Sequence, residues 1–152
     1  MDRLLPPLPT GVHFGLDRMR GALEALGNPH LAYATVHVGG TNGKGSVTAT
    51  VGAVLTAAGK RAGCYTSPHL CSFRERFVVD GVPIAEEALV RYADEIRDAI
   101  VEHGLPFFEA VTLLAMHAFA REEVDVGVME VGLGGRLDAT NVIQPRVTAV
   151  TN

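Results

Sequence analysis

The sequence predicts an α/β fold, an open and mostly parallel sheet with helices on both faces. Three observations predict it. Short apolar runs rich in valine alternate with segments in which apolar residues recur at helical spacing. A glycine-rich turn joins one run to the helix that follows it, and polar residues stand directly after several runs. At 152 residues, the chain suits one ordinary domain.

The composition is that of a globular chain. With 47% hydrophobic residues, 20% charged residues and a net charge of -4, both disorder and a nucleic-acid surface are disfavoured. No apolar run approaches the roughly 20 residues that cross a bilayer, and the N-terminus lacks the order of a signal peptide. We therefore expect a cytoplasmic monomer without membrane or nucleic-acid partners. Cys64 and Cys71 lack partners at metal-ligand spacing, which predicts free thiols.

The first half of the chain predicts an arm and a helix over residues 1–30, then a strand, a loop and a second helix. Prolines at positions 6, 7 and 9 mark the irregular arm. The strand covers 34–38 and the glycine-rich loop 39–46, and the second helix ends at Gly59. The apolar stripes of the two helices are Leu16, Met19, Leu23 and Leu26, then Val47, Val51, Val54 and Ala58.

The second half predicts more strands, a hairpin and two further helices. A strand over 62–66 precedes a hairpin around Asp80-Gly81, with arms 77–79 and 82–84, which we expect to be a small excursion. Runs 124–129 and 147–150 are predicted as strands buried on both faces of a parallel sheet. One long third helix and a fourth helix carry the stripes Leu89, Ala93, Ile96 and Ile100, then Phe108, Val111, Leu114 and Ala118.

The four parallel strands end in residues able to do chemistry. Parallel sheets bind ligands at the carboxyl ends of their strands. There the sequence has the loop 39–46, Thr66-Ser67, Glu130 and Thr151-Asn152. We therefore expect these residues to converge at one edge of the sheet.

The loop from Gly39 to Ser46 has the features of an ATP phosphate-binding loop. Its glycines let backbone N–H groups turn toward phosphates, and the next helix presents its positive N-terminus. Lys44 is the expected catalytic cation, neutralising the β and γ phosphates. The spacing departs from the common P-loop pattern, since Val38 stands where the first glycine belongs and Ser46 follows Lys44 by two residues. Magnesium ligation by Ser46 stays open, as does a plain turn with a surface lysine.

Ser67 and Glu130 are the candidate Mg²⁺ ligands. Pro68 keeps Ser67 on extended backbone at a strand end, although serine before proline also marks ordinary turns. A carboxylate directly after the buried run 124–129 needs a partner, for which Mg²⁺ is suited. The alternatives for Glu130 are capping of the following turn or pairing with Arg136.

The stretch from Gly132 to Asp138 predicts a second close-approach loop. It either binds a second substrate or forms a rigid turn in which Arg136 pairs with Asp138. Glu109 is consistent with a favourable charge at a helix N-terminus. His37 and His117 are interpreted as structural, and His69 is left unassigned.

Five segments in order resemble the bifunctional dihydrofolate synthase and folylpolyglutamate synthase family, within the wider Mur ligase group. They are FGLDRMRGALEALGNPH, HVGGTNGKGSV, YTSPHL, FFEAVTLLA and EVGLGGRLDATNV. The resemblance implies the P-loop NTPase-like central domain of a Mur ligase, with Mg²⁺ ligands at Ser67 and Glu130. It implies ATP binding by Thr41, Asn42, Gly43, Lys44, Gly45 and Ser46. It places a pterin substrate near Phe14, Phe108, Glu109, Leu137, Asp138 and Ala139.

By resemblance, ATP would phosphorylate a pteroate or folate carboxylate, and the amine of L-glutamate would attack the acyl phosphate. The family continues into a metal-binding histidine, a carbamylated lysine and a C-terminal domain, none of which this sequence contains. We therefore expect a partial ATP-binding domain with little activity alone. A cell-wall Mur ligase and a non-catalytic nucleotide-binding module are the competing interpretations, whereas a GTPase switch lacks its N-K-x-D motif.

Overall fold

The computed structural model describes residue 5 and residues 15–152. The predicted arm around Pro6, Pro7 and Pro9, and the candidate Phe14, lie outside these residues. No helix in the described part is long and apolar enough to span a membrane.

Within the described residues, six strands form one sheet. They are β1 Ala34–Gly39, β2 Ala62–Tyr65, β3 Phe77–Val79, β4 Val82–Pro83, β5 Val126–Glu130 and β6 Val147–Val150. Their order in the sheet is β4-β3-β2-β5-β1-β6. Strands β2, β5, β1 and β6 run parallel to one another, whereas β3 pairs antiparallel with β2 and β4 antiparallel with β3. This confirms the predicted mostly parallel sheet.

Helices cover both faces of the sheet, as predicted. They are α1 Asp17–Ala25, α2 Lys44–Ala57, α3 Glu86–Glu95, α4 Arg97–Glu102 and α5 Phe107–Arg121. Helix α2 packs on one face through Val47, Val51 and Leu55, over Val38 and Val128 of the sheet. The other helices form the main core on the opposite face.

Helix α5 is buried on nearly all sides at the centre of the main core. Its Phe119 lies flat against the sheet because Gly63 has no side chain, since a Cβ there would come within 2.9 Å of the ring. Tyr33 completes the layer in an edge-on contact with Phe119, and its hydroxyl donates to the carbonyl of Met116. The close approach holds the last turns of α5 against β2.

Two predicted elements differ in the structure. The long third helix is two helices, α3 and α4, because the backbone leaves helical geometry at Ile96 (φ -103°, ψ 0°). Its apolar stripe is nevertheless buried throughout. The hairpin turns at Asp80 and Gly81, both with positive φ as such a turn requires. It is not a separate excursion, because β3 pairs along β2 and widens the sheet.

Two burial predictions were wrong. Val54 and Ala58 of α2 are exposed, and the helix instead buries Thr48 and Gly52. A Cβ at Gly52 would collide with the Cys64 sulfur, so α2 approaches the sheet through its small residues. Strand β6 is largely exposed, with Val150 79% accessible, because within residue 5 and residues 15–152 it is an edge strand whose one neighbour is β1.

Candidate functional site

The carboxyl ends of β1, β2, β5 and β6 meet at one edge of the sheet, as the sequence predicted. Thr151 donates its N–H to the carbonyl of Gly39 over 2.8 Å. Beyond it, the carbonyl of Asn152 accepts from the N–H groups of Thr41 and Asn42, at 3.1 and 2.8 Å. The loop between β1 and α2 is thus tied to the end of β6.

The loop before α2 leaves a helix N-terminus facing the sheet edge. Gly40 and Gly43 have φ values of +129° and +82°, which residues with a side chain rarely adopt. Helix α2 begins at Lys44 without a side-chain cap, so the N–H groups of its first turn have no intrahelical acceptors. The Lys44 Nζ lies 3.4 Å from the carbonyl of Thr41, folded back over the loop. Such N–H groups and a lysine suit an anion of the phosphate type.

Glu130 is held beside this loop by a neighbouring strand. Its Oε2 accepts a hydrogen bond from the backbone N–H of Ser67 over 3.0 Å, and the residue is only 5% exposed. Burial raises the pKa of Glu130, and the Ser67 N–H and the charge of Lys44 partly oppose that rise. A Cβ added at Gly45 would lie 3.8 and 3.9 Å from the two carboxylate oxygens. Lys44, Gly45, Ser67 and Glu130 therefore surround one space.

In the part of the chain that it describes, the structure shows neither alternative role for Glu130, capping of the following turn or pairing with Arg136. Within the described residues, Glu130 makes no ion pair with Arg136. The N–H groups of the following turn, at Gly132 and Leu133, donate to Asp138 instead. The carboxylate of Glu130 is therefore left facing Lys44 and Ser67.

The oxygen donors at this edge fit a magnesium ion. No cluster of three or more His, Cys, Asp or Glu side chains suited to a metal occurs in residue 5 and residues 15–152. Mg²⁺ commonly takes only one or two protein ligands and completes its shell with substrate phosphates and water. Glu130 and Ser67 carry hard oxygen donors of that kind, a carboxylate and a hydroxyl. Ser46 is exposed in the first turn of α2, and its role stays open.

The turn from Gly132 to Asp138 is held together by hydrogen bonds to Asp138, and not by the predicted alternative of an ion pair between Arg136 and Asp138. Asp138 Oδ2 accepts from the N–H groups of Gly132 and Leu133, at 3.0 and 2.9 Å. Its Oδ1 accepts from the N–H and the hydroxyl of Thr140. One buried carboxylate thus closes the whole loop.

His37, on β1, contacts the same loop through Thr140. Its Nε2 lies 2.8 Å from the Thr140 hydroxyl. Because that hydroxyl donates to Asp138, the His37 Nε2 must be the donor in this contact. Burial lowers the pKa of His37, and nearby Asp138 partly opposes this. This agrees with a structural role for His37, and His117 likewise contacts Glu95 over 2.7 Å.

A cleft of about 240 Å³ opens between the end of β2, the start of α5 and the Gly132 turn. Phe108 forms one wall and packs directly on Gly132, where no Cβ could be accommodated. The lining residues are Ser67, Pro68, Arg76, Phe108, Gly132 and Leu133.

Four other candidate substrate residues, Glu109, Leu137, Asp138 and Ala139, are not part of the cleft lining. Glu109 is buried, and its Oε2 has no hydrogen-bond partner within the described part of the chain. Burial raises the pKa of Glu109, and Arg18 partly opposes this. Leu137 is exposed, whereas Asp138 and Ala139 are buried. Their predicted contact with a pterin stays a prediction.

Arg76 is a cleft residue that the sequence did not predict. In the sequence it lies in the charged run FRER, which resembles a solvated surface. In the structure it is buried and stacks between aromatic rings, with its Nε donating to His69. The phenylalanines at positions 73 and 77 around it were the available signal. His69, which the sequence left unassigned, is therefore a hydrogen-bond acceptor for Arg76.

The fold and this edge define an α/β domain of the P-loop NTPase type. Comparison with models of known protein families gives no match. The dihydrofolate synthase/folylpolyglutamate synthase of Mycobacterium tuberculosis is 42% identical over 155 residues, covering 93% of this chain. The solved folylpolyglutamate synthase of Thermotoga maritima is 48% identical with a TM-score of 0.86, over 88% of this chain. That of M. tuberculosis, complexed with ADP and AMPPCP, is 41% identical with a TM-score of 0.88, over 90% of this chain.

The chain therefore corresponds to one segment of the proteins of the dihydrofolate synthase and folylpolyglutamate synthase family. This confirms the resemblance seen in the sequence. It spans only part of these proteins. It covers 32% of the curated M. tuberculosis relative and 33% of each of the two solved chains.

Proposed function

We propose that this chain is the phosphate-binding part of an ATP- and Mg²⁺-dependent ligase that joins L-glutamate to dihydropteroate or to a tetrahydrofolate (poly)glutamate. The observation that carries the proposal is the meeting of Lys44, the start of α2, Ser67 and Glu130 at one sheet edge. The similarity to folylpolyglutamate synthases, one of them complexed with ADP and AMPPCP, supports it.

In the proposed reaction a substrate carboxylate attacks the γ-phosphorus of ATP. A new P–O bond forms, the bond to ADP breaks, and an acyl phosphate results. The amine of L-glutamate then attacks the acyl carbon, the C–O bond to phosphate breaks, and the amine loses a proton to the leaving phosphate or to water as the amide forms. Mg²⁺, when bound, supplies positive charge that stabilises the transferring phosphoryl group.

The residues of the chain have distinct parts in this scheme. The N–H groups of the first turn of α2 and the Lys44 ammonium bind the phosphate oxygens and hold them in line. Glu130 and Ser67 would hold the metal, with the Ser67 N–H orienting the Glu130 carboxylate. The Gly132 turn and Phe108 form the adjoining cleft for the acid substrate.

Nucleotide binding by the purified chain tests the proposal. Titration calorimetry with AMPPCP and Mg²⁺ should give binding for the unaltered chain and a loss of about tenfold or more for Lys44→Ala, because a charge-assisted contact is removed. Lys60→Ala is the matched control, since Lys60 is exposed in the turn after α2 and should leave binding unchanged. Equal affinities of Lys44→Ala and the unaltered chain would contradict the proposal.

The expected lack of activity in this chain alone stays a prediction. Glutamate-dependent ADP release by the purified 152 residues would contradict it. Coupling between AMPPCP and pteroate binding separates the ligase from a nucleotide-binding module without catalysis, because such a module should bind nucleotide without any effect of pteroate.

A further inference from the structure

A buried cation faces the cleft beside the proposed phosphate site. Arg76 is only 6% exposed and lines the cleft between Ser67 and Phe108. Among the residues the structure describes, no carboxylate lies within 4.0 Å of its guanidinium. Withdrawing a cation from water without an anion is unfavourable, so the site is electrostatically incomplete.

The known contacts of Arg76 do not satisfy its guanidinium. Its Nε donates to His69 Nδ1 over 2.9 Å, and the guanidinium is also a hydrogen-bond partner of the Tyr65 side chain. The rings of Phe73 and Phe107 lie 5.9 and 6.0 Å from the guanidinium carbon and stabilise its charge. A guanidinium has five N–H donors, and aromatic faces are poor acceptors for them. The fork therefore retains donors for a ligand.

Arg76 lies beside the end of β2. The backbone N–H of Thr66 donates to the carbonyl of Arg76 over 3.4 Å, and Arg76 lines the same cleft as Ser67. Tyr65 is the last residue of β2, two positions before Ser67. The cation thus lies next to the strand end that also orients Glu130.

The segment that carries Arg76 is built to hold it there. Glu75 accepts hydrogen bonds from the N–H groups of Leu70, Cys71 and Ser72, at distances between 2.7 and 3.3 Å. These contacts close the turn between Pro68 and Arg76. The guanidinium is consequently pre-positioned rather than free to leave the cleft for solvent.

The remaining cleft walls indicate the kind of anion. Pro68, Phe108 and Leu133 present apolar surface beside the guanidinium, and Leu133 is 83% exposed. A free phosphate would leave these walls uncovered. A planar carboxylate matches the fork of an arginine with two parallel hydrogen bonds, and a flat apolar body would cover the walls.

We propose that Arg76 binds the carboxylate of a substrate acid whose flat apolar body packs between Phe108 and Leu133. This inference deepens the proposed function and rests on it for the choice of acid. It assigns Arg76 as a residue that selects a free carboxylate and holds it beside the phosphate-binding loop.

The test compares an acid with its uncharged counterpart. Pteroate and pteroamide differ only in the carboxylate, and both are titrated into the purified 152-residue chain. The unaltered chain should bind the acid about tenfold more tightly, because a buried charge-assisted pair is made only with the acid. Arg76→Gln should remove that preference and change amide binding by less than about twofold, whereas Arg76→Lys should restore part of it.

Arg74→Gln is the matched control in the same short turn. Arg74 donates to the carbonyl of Ile84 and does not line the cleft, so its variant should keep the full preference for the acid. A chain that binds both compounds equally, or binds neither, overturns the inference. So does an Arg76→Gln variant that keeps the preference.

A second measurement decides the matter if Arg76→Gln does not fold, as judged by circular dichroism. The NMR signal of the Arg76 Nε–H is assigned as the arginine signal that the Arg76→Lys variant lacks. In the unaltered chain, this signal should shift on addition of pteroate and not on addition of pteroamide. Equal shifts, or none, overturn the inference. Binding of AMPPCP is measured separately, so a failure of the phosphate site is distinguished from a failure at Arg76.

Discussion

The backbone N–H of Ser67 donates to the Oε2 of Glu130 over 3.0 Å, which ties the end of β2 to the end of β5. The contact turns the carboxylate toward the loop that carries Lys44. Because burial raises the pKa of Glu130 against the opposing effects of Ser67 and Lys44, the ionised form is costly without a bound cation. The geometry of the site and its pH behaviour are therefore linked.

Replacing Glu130 by Gln should stabilise the metal-free chain at neutral pH. The folded pKa lies above the unfolded value of 4.5, so the stability contributed by this group is present below pH 4.5 and lost as pH rises through the folded pKa. Glu130→Gln removes that loss. We expect a gain of about 1 kcal/mol at pH 7, or about 2–4 °C in Tm, measured by thermal unfolding between pH 4 and 8.

Glu109→Gln is the control for this prediction. Burial also raises the pKa of Glu109, so its variant should flatten the pH dependence in the same direction. With AMPPCP present, added Mg²⁺ should raise the Tm of the unaltered chain and of Glu109→Gln, but not of Glu130→Gln. A Glu130→Gln variant that responds fully to Mg²⁺ would contradict the metal assignment.

Gly132→Ala should disrupt the cleft wall. Its Cβ would collide with the ring of Phe108, which must then move. We expect a loss of about 1–3 kcal/mol in the free energy of unfolding and weaker pteroate binding. Gly135→Ala tests the same loop without a clash, because nothing lies within 4 Å of its Cβ position. Denaturant titration of the two variants should therefore give clearly different midpoints.

The carboxylate of Asp138 should matter for stability, and the charge of Arg136 should not. Asp138→Asn replaces one carboxylate oxygen by an NH₂ group, so at least one donor of Gly132, Leu133 or Thr140 loses its acceptor. We expect a loss of about 1–3 kcal/mol and faster hydrogen exchange at the amides of Gly132 and Leu133. Arg136→Gln should change stability by less than about 0.5 kcal/mol. Comparable losses in the two variants would instead favour pairing of Arg136 with Asp138.

The two cysteines should differ sharply in reactivity. Cys71 is exposed, whereas Cys64 is buried under α2 and burial raises its pKa to about 11. A thiol reagent should modify one sulfur quickly in the folded chain and the second only after unfolding. Cys71→Ser should remove the fast phase. Rapid modification of two thiols under native conditions would mean that α2 opens readily from the sheet.

The sequence by itself determined the order of strands and helices along the chain, the glycine-rich loop 39–46 before α2 and the meeting of Ser67 and Glu130 at one sheet edge. It did so because these features are local. Apolar periodicity specifies each element, glycines mark the loop, and parallel strands carry the residues that follow them to a common edge. The helix break at Ile96 was not predicted, because the stripe of buried residues continues through it unchanged.

Only the tertiary structure decided which surfaces touch. Three features depend on how segments of the chain pack against each other. They are the approach of α2 through Thr48 and Gly52, the closing of the Gly132 turn by Asp138, and the burial of Arg76 between two phenylalanines. Spacing along the chain does not encode such distances. The physical reason is that burial and charge pairing are properties of the packed core, where a residue's neighbours are chosen by shape and by the free energy of removing polar groups from water.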